Sequence, residues 1–142
     1  HYTMKDLGIP KTLALVEQLE AINPYLTYET YTERVVPSNV ERLFSECDVV
    51  VEAFDKPDQK AMLLENLLTR LPEKPVVSGS GMAGYGSANL IKTEKRFGHV
   101  YLCGDGTSDV ADGLGLMAPR VAVCSAHEGT MVLRLLIGET DP

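Results

Sequence analysis

Apolar and polar positions follow two rhythms along this chain. Leu13, Val16, Leu19 and Ile22 recur at steps of three, which predicts an amphipathic helix from Pro10 to Ile22. Pro10 suits a first helical position, and Asn23-Pro24 ends the run because the residue before proline resists the α region. Leu26 to Val35 alternates, with Tyr, Thr and Glu common, and predicts a strand. Ser38 followed by Glu41 has the spacing of a capping box, and Val40, Leu43 and Phe44 carry a short helix to about Glu46. Asp48 to Phe54 contains the continuous apolar run Val49-Val50-Val51, the pattern of a strand buried on both faces. Asp58 to Leu71 is helical in period, with Met62, Leu63, Leu67, Leu68 and Leu71 apolar. Pro72 and Pro75 bracket a loop before a short strand, Val76-Val77-Ser78. Ala88 to Lys95 and His99 to Cys103 predict two strands joined at Arg96-Phe97-Gly98. Met117 to Ile137 is an apolar helix, started or interrupted at Pro119 and ended by Gly138.

Strands alternating with helices predict an α/β fold with a parallel, doubly wound sheet and flanking helices. The hairpin adds an antiparallel extension. The chain has 142 residues, which suits a single domain over 1–142. A net charge of −7, with no basic run, argues against nucleic acid as a partner. No stretch nears the roughly 20 apolar residues that span a bilayer, so no membrane role is expected. Cys47, Cys103 and Cys124 are odd in number and widely spaced, which fits reduced thiols and a cytoplasmic setting. The chain opens on a helix, where an α/β domain usually opens on a strand. This predicts that N-terminal βα units are missing.

Candidate chemistry gathers at the carboxyl end of the Asp48–Phe54 strand, where open α/β sheets place ligand-binding groups. Asp55 stands there, ahead of a helix start. Two roles are open to it: an oxygen ligand for Mg²⁺ beside a nucleotide, or a helix N-terminal carboxylate favoured by the dipole. Lys11 lies in the first turn of the first helix, against the dipole, either serving an anion or simply solvated. Ser78 to Ser87 holds four glycines in ten residues. It opens no predicted helix and lacks a following Gly-Lys-Ser/Thr, so it is neither a dinucleotide fingerprint nor a Walker loop; a flexible connection is expected. Cys124 and His127 have a metal-compatible spacing, but two ligands make no zinc site, and core packing is the expectation. Cys103, at a strand end before a glycine-rich loop, is either a reactive thiol or a buried structural one.

Several segments resemble, in order, those of the ThiF/HesA/MoeB adenylyltransferases. D-L-G-I-P-K at Asp6 to Lys11 resembles the family's D-I-G-x-P-K, and Ile22 to Pro24 matches its I-N-P. The run from Ser38 to Asp55 resembles N-x-x-x-L-x-x-x-x-D-x-V-x-D-x-x-D. Lys74 to Gly81 resembles the P-x-V-S-G segment, and Gly113 to Gly129 resembles the approach to the last helix. The resemblance implies a Rossmann-like, mostly parallel sheet and an ATP-dependent adenylyltransferase. That enzyme activates the C-terminal glycine of a ubiquitin-like sulfur carrier protein ending in Gly-Gly, in thiamine or related sulfur-cofactor biosynthesis. It implies ATP and Mg²⁺ as cofactors and a homodimer. Lys11 and Asp55 match the family's catalytic, phosphate- and Mg²⁺-organising residues. Val35 and Val36 fall where adenine is contacted, and the loop after Val77 lies where the carrier tail approaches.

Three departures accompany the resemblance. The family's D-N-x-x-T-R becomes D-K-P-D-Q-K, which puts Lys56 and Lys60 at nucleotide-facing positions; Lys60 keeps charge without the bidentate fork. The paired C-x-x-C motif is absent, so no zinc is expected. The family's glycine-rich phosphate loop, ribose-binding acid and phosphate-binding arginine find no counterpart, and His1 aligns just past that arginine. On the order of 60 residues, at roughly 30 per βα unit, are expected to precede it. A chain lacking them is expected to bind ATP poorly and to self-associate through an uncovered sheet edge. The alternatives are a related ATP-dependent member that modifies tRNA and a non-catalytic α/β binding or assembly module in which Asp55 is a cap.

Overall fold

A computed structural model describes residues 2–142; His1 lies outside them. They form two compact units that meet in sequence at Arg34 and Val35.

In the N-terminal unit, a single 3-10 turn, Met4–Asp6, is capped reciprocally: the Thr3 hydroxyl accepts from the Lys5 N–H and the Asp6 carboxylate from the Thr3 N–H. Helix α1 spans Lys11–Ile22, with Pro10 at its N-cap. Only Ala14 is buried along it, while Leu13 and Ile22, from the predicted apolar face, are exposed. The expected strand from Leu26 to Val35 does not form. A period of two makes a strand only where a neighbour takes its backbone groups, and this stretch joins no ladder. Tyr28 instead turns its hydroxyl back to donate to the carbonyls of Leu19 and Asn23, at 3.2 and 2.8 Å. Leu19 O also accepts the Asn23 N–H at 2.8 Å, so the Tyr28 hydroxyl is a second donor on that carbonyl at the end of α1.

The C-terminal unit is a four-stranded sheet between helices. Helix α2 (Val40–Phe44) leads to strand β1 (Val50–Glu52). Then come helix α3 (Pro57–Arg70), strand β2 (Val76–Gly79), strands β3 (Lys92–Lys95) and β4 (Val100–Gly104), and helix α4 (Ala118–Leu136). The sheet order is β1-β2-β4-β3. β1, β2 and β4 run parallel, in the register Val50–Val76–Val100. β3 is antiparallel to β4, with Thr93 opposite Cys103. The expected parallel sheet with an antiparallel extension is therefore present. Several boundaries differ. β1 is confined to Val50–Glu52, inside the expected run from Asp48 to Phe54. Asn39, not Ser38, is the N-cap of α2, and its carboxamide accepts from the Val36 N–H at 2.9 Å. Ala88–Leu90 is a 3-10 turn, capped by Ser87 and sitting before β3.

Alternation along the strands sends neighbouring residues to opposite faces. Val50, Val76 and Val100 pack with Val40, Leu63 and Leu67 under α2 and α3. Val77, Tyr101 and Cys103 pack with Cys124 and Met131 of α4 on the other side. β1 is an edge strand: Val50 is buried under α2 and α3, whereas on the other face Val49 packs only partly against the α4-side cluster and Val51 is 46% exposed, so the run is not buried on both faces as expected.

Candidate functional site

The three parallel strands end on one side, and the segments leaving them line a cleft of about 290 Å³. Phe54, Asp55 and Lys60 come from the β1–α3 passage, Gly79 to Ala83 from the exit of β2, and Gly106 to Val110 from the segment after β4. This is where an open α/β sheet presents groups to a ligand.

The glycine-rich segment after β2 is a fitted wall rather than the expected flexible connection. Its backbone is tied to the segment after β4: Ser80 N–H donates to Cys103 O and Asp105 N–H to Gly81 O, each at 2.8 Å. Gly104 adopts φ +146°, and a Cβ there would sit 1.7 Å from Ser80 O. A Cβ on Gly81 would meet Asp105 Oδ1 at 2.2 Å. The glycines thus allow two main chains to touch.

Asp105 anchors this wall. Its Oδ1 accepts from Thr107 N–H and Ser108 N–H, both at 2.8 Å, and its Oδ2 is ion-paired with Arg120 of α4. Burial pushes the Asp105 carboxyl up. The hydrogen bonds from Ser108 and Thr107 and the Arg120 charge outweigh it and hold the group at about 2. Arg120 also donates to Ser87 O at 3.0 Å, while its buried Nε finds no hydrogen-bond partner.

Asp55 is exposed, two residues ahead of α3. The N-cap of α3 is Lys56, with no side-chain cap, so Asp55 does not serve as the helix cap. No hydrogen bond or ion pair to another described residue occupies its carboxylate. Such a group suits a hard cation held by one carboxylate, with phosphate and water supplying the remaining ligands. Among the described residues, no cluster of three or more His, Cys, Asp or Glu could form an all-protein metal cage.

Lys60 is half-buried. Its ammonium donates to both oxygens of Glu52, at 3.1 and 2.9 Å, and to Gly79 O at 3.2 Å. The cleft therefore brings together Asp55 and Lys60, and it does not include Val35, Val36 or Lys56. Val35 packs on the α2–α3 core, Val36 is half-buried before α2, and Lys56 is exposed. Lys11 belongs to the N-terminal unit, where it is exposed at the start of α1.

The thiols of Cys103 and Cys124 resolve as structural. Cys103 and Cys124 are buried. Burial raises the Cys103 thiol. Burial, with the Glu128 carboxylate beside it, pushes Cys124 to about 12. Cys124 donates to Cys103 O at 3.1 Å, whereas His127 Nδ1 lies 3.1 Å from Thr93 Oγ1, so the two side chains turn to different partners. Glu128 is raised chiefly by burial.

Sequence reasoning missed Glu52, which is 1% exposed, and the Asp105–Arg120 pair. A signal for Glu52 was present: a glutamate inside an apolar strand must find a partner when buried. Nothing local pointed to Asp105 and Arg120, which are 15 residues apart and meet only through the fold.

Comparison with known proteins places this arrangement. The chain is 27% identical, over 97% of its length, to the adenylyltransferase and sulfurtransferase UBA4 of Eremothecium gossypii, of which it spans 32%. It is 33% identical, over 56% of its length, to the sulfur carrier protein adenylyltransferase of Thermus thermophilus, of which it spans 28%. The chain thus covers about a third of the curated relatives it matches. Its fold matches the E. coli tRNA N6-threonylcarbamoyladenosine dehydratase TcdA in complex with AMP, with a TM-score of 0.77 at 18% identity over 95% of this chain and 68% of that one. The same protein in complex with ATP matches with a TM-score of 0.71. The ThiF family model matches residues 1–142 throughout, and the chain belongs to the ThiF family.

Proposed function

We propose that this chain forms part of an ATP-dependent adenylyltransferase acting on the C-terminal glycine of a ubiquitin-like sulfur carrier protein. The observation that carries the reading is Asp55: an exposed carboxylate without a partner among the described residues, in a cleft at the carboxyl ends of three parallel strands. The relatives named as adenylyltransferases support the reaction class, and the one named for a sulfur carrier supports the substrate. In this reaction the carrier carboxylate bonds to the α-phosphorus of ATP, and the bond to the β-phosphate oxygen breaks to release pyrophosphate. Mg²⁺, when bound, neutralises phosphate charge. Asp55 would hold it, and Lys11 would bind phosphate; cations aimed at developing phosphoryl charge favour the transition state. The wall from Gly79 to Ala83 lies where the family resemblance puts the approaching carrier tail. Thiamine or related sulfur-cofactor synthesis is the pathway class we infer.

ATP–pyrophosphate exchange by the full-length natural protein, with Mg²⁺ and carriers ending in Gly-Gly, tests this. Asp55→Ala should lower exchange by at least about 10²-fold, the scale of losing one preorganised electrostatic group. Because the side chain is exposed and uncapping, its melting temperature should stay within a few degrees. Full activity in Asp55→Ala, or no exchange by a folded wild type with any such carrier, would sink the reading.

A further inference from the structure

Beneath Asp55 lies a buried carboxylate that the reaction does not use. The Glu52 side chain is fully buried, with a relative exposure of 0%. Its Oε1 accepts from the Phe54 N–H at 2.6 Å and from Lys60 Nζ, and its Oε2 accepts from Ser78 Oγ at 2.5 Å and again from Lys60. Lys60 completes the cluster by donating to Gly79 O. One carboxylate therefore joins the end of β1, the second turn of α3 and the end of β2. Burying an ion pair is a poor route to stability, since apolar groups of the same size usually serve as well or better. The pair instead fixes directions. The Phe54 N–H is held immediately before Asp55, and the Lys60 ammonium is held in the cleft wall.

We propose that Glu52 is a positioning residue. By clamping Phe54 and Lys60 it sets where the Asp55 carboxylate stands, and so how a metal-bound nucleotide triphosphate is held. This rests on the adenylyltransferase reading. Partners that orient a metal ligand typically govern 10–100-fold in affinity or rate, so about that loss is expected here. The geometry also accounts for Lys60, whose three ammonium donors already have protein acceptors.

The test uses the full-length protein and three measurements: Mn²⁺–ATP affinity by electron paramagnetic resonance, kcat and KM for ATP in exchange, and melting temperature. The charge-neutralised pair E52Q/K60M should keep the wild-type melting temperature within a few degrees, yet lose about 10–100-fold in Mn²⁺–ATP affinity. The length-exchanged pair E52D/K60R, which preserves the total reach of acid and base, should recover affinity to within about threefold. E52D and K60R alone should each fall short of it. If E52Q/K60M binds Mn²⁺–ATP as wild type does, the clamp is structural and the proposal is overturned. If E52Q/K60M fails to fold, the E52D/K60R rescue decides: recovery supports positioning, and affinity no better than that of the single variants overturns it. A wild type that binds Mn²⁺–ATP but gives no exchange with any carrier defeats the substrate reading and leaves this inference to the binding data. A wild type that does not bind Mn²⁺–ATP overturns both.

Discussion

The charge state of Asp105 bears directly on stability. Its folded value of about 2 lies below the ordinary carboxylate value of 3.8. The unfolded chain therefore binds the extra proton as pH falls through this window. The stabilisation is full above about pH 4 and is lost as pH drops toward 2; we expect on the order of 1–2 kcal/mol from this group, allowing for solvent screening. Asp105→Asn leaves the buried Arg120 without its counter-charge and should cost about 3–5 kcal/mol at neutral pH. Chemical denaturation of both proteins between pH 7 and pH 2 checks this. The gap between them should narrow by that 1–2 kcal/mol below pH 4, and a constant gap would contradict the assignment. At this scale the sequence was only partly legible. Asp55 stood out because it ends an apolar strand. The side-chain partners of Glu52 are 8 and 26 residues away, and the partners of Arg120 are 15 and 33 away. Separations of that kind carry no periodicity. Glu52 and Lys60 also stand where the family motifs have aspartate and arginine, so a longer acid meets a shorter base and the overall reach is kept.

At the scale of elements, periodicity located the helices, even the sparsely packed α1, and misled for the one expected strand that no neighbour pairs. The helix read as Asp58 to Leu71 forms as α3 because Leu63 and Leu67 are buried against the sheet. The alternation from Leu26 to Val35 matched a strand equally well, yet no ladder receives it. The glycine-rich stretch after β2 read as a flexible connection because sequence shows a missing side chain without showing what fills the space. Two substitutions separate these meanings of glycine. Gly104→Ala forces a Cβ against Ser80 O in a positive-φ conformation and should destabilise by about 2–4 kcal/mol. Gly129→Ala, inside α4 with nothing within 4 Å of the added Cβ, should stabilise by up to about 1 kcal/mol. Urea denaturation of the two variants should therefore move the midpoint in opposite directions, and a shift of the same sign would contradict the packing of the two strand exits.

At the scale of the whole molecule, both hydrophobic clusters and the cleft draw every residue from Val35 onward. Among the described residues of the first unit, only Ala14 is a buried hydrophobic. Stability should therefore reside almost entirely in the second unit. A chain beginning at Val35 should unfold cooperatively, with a melting temperature within a few degrees of that of the 142-residue chain. The first 34 residues alone fall below the size at which a core sustains folding, and a helix as short as α1 is marginal in water. Circular dichroism of that peptide should show little helix. The two measurements bear on how the family's chemistry is distributed: Asp55, Glu52 and Lys60 would stand on an autonomous scaffold, whereas Lys11 would sit on a segment that cannot order itself. A cooperative loss of the 35–142 unit on removing residues 1–34 would show that the N-terminal unit contributes to the scaffold and not to ligand binding alone.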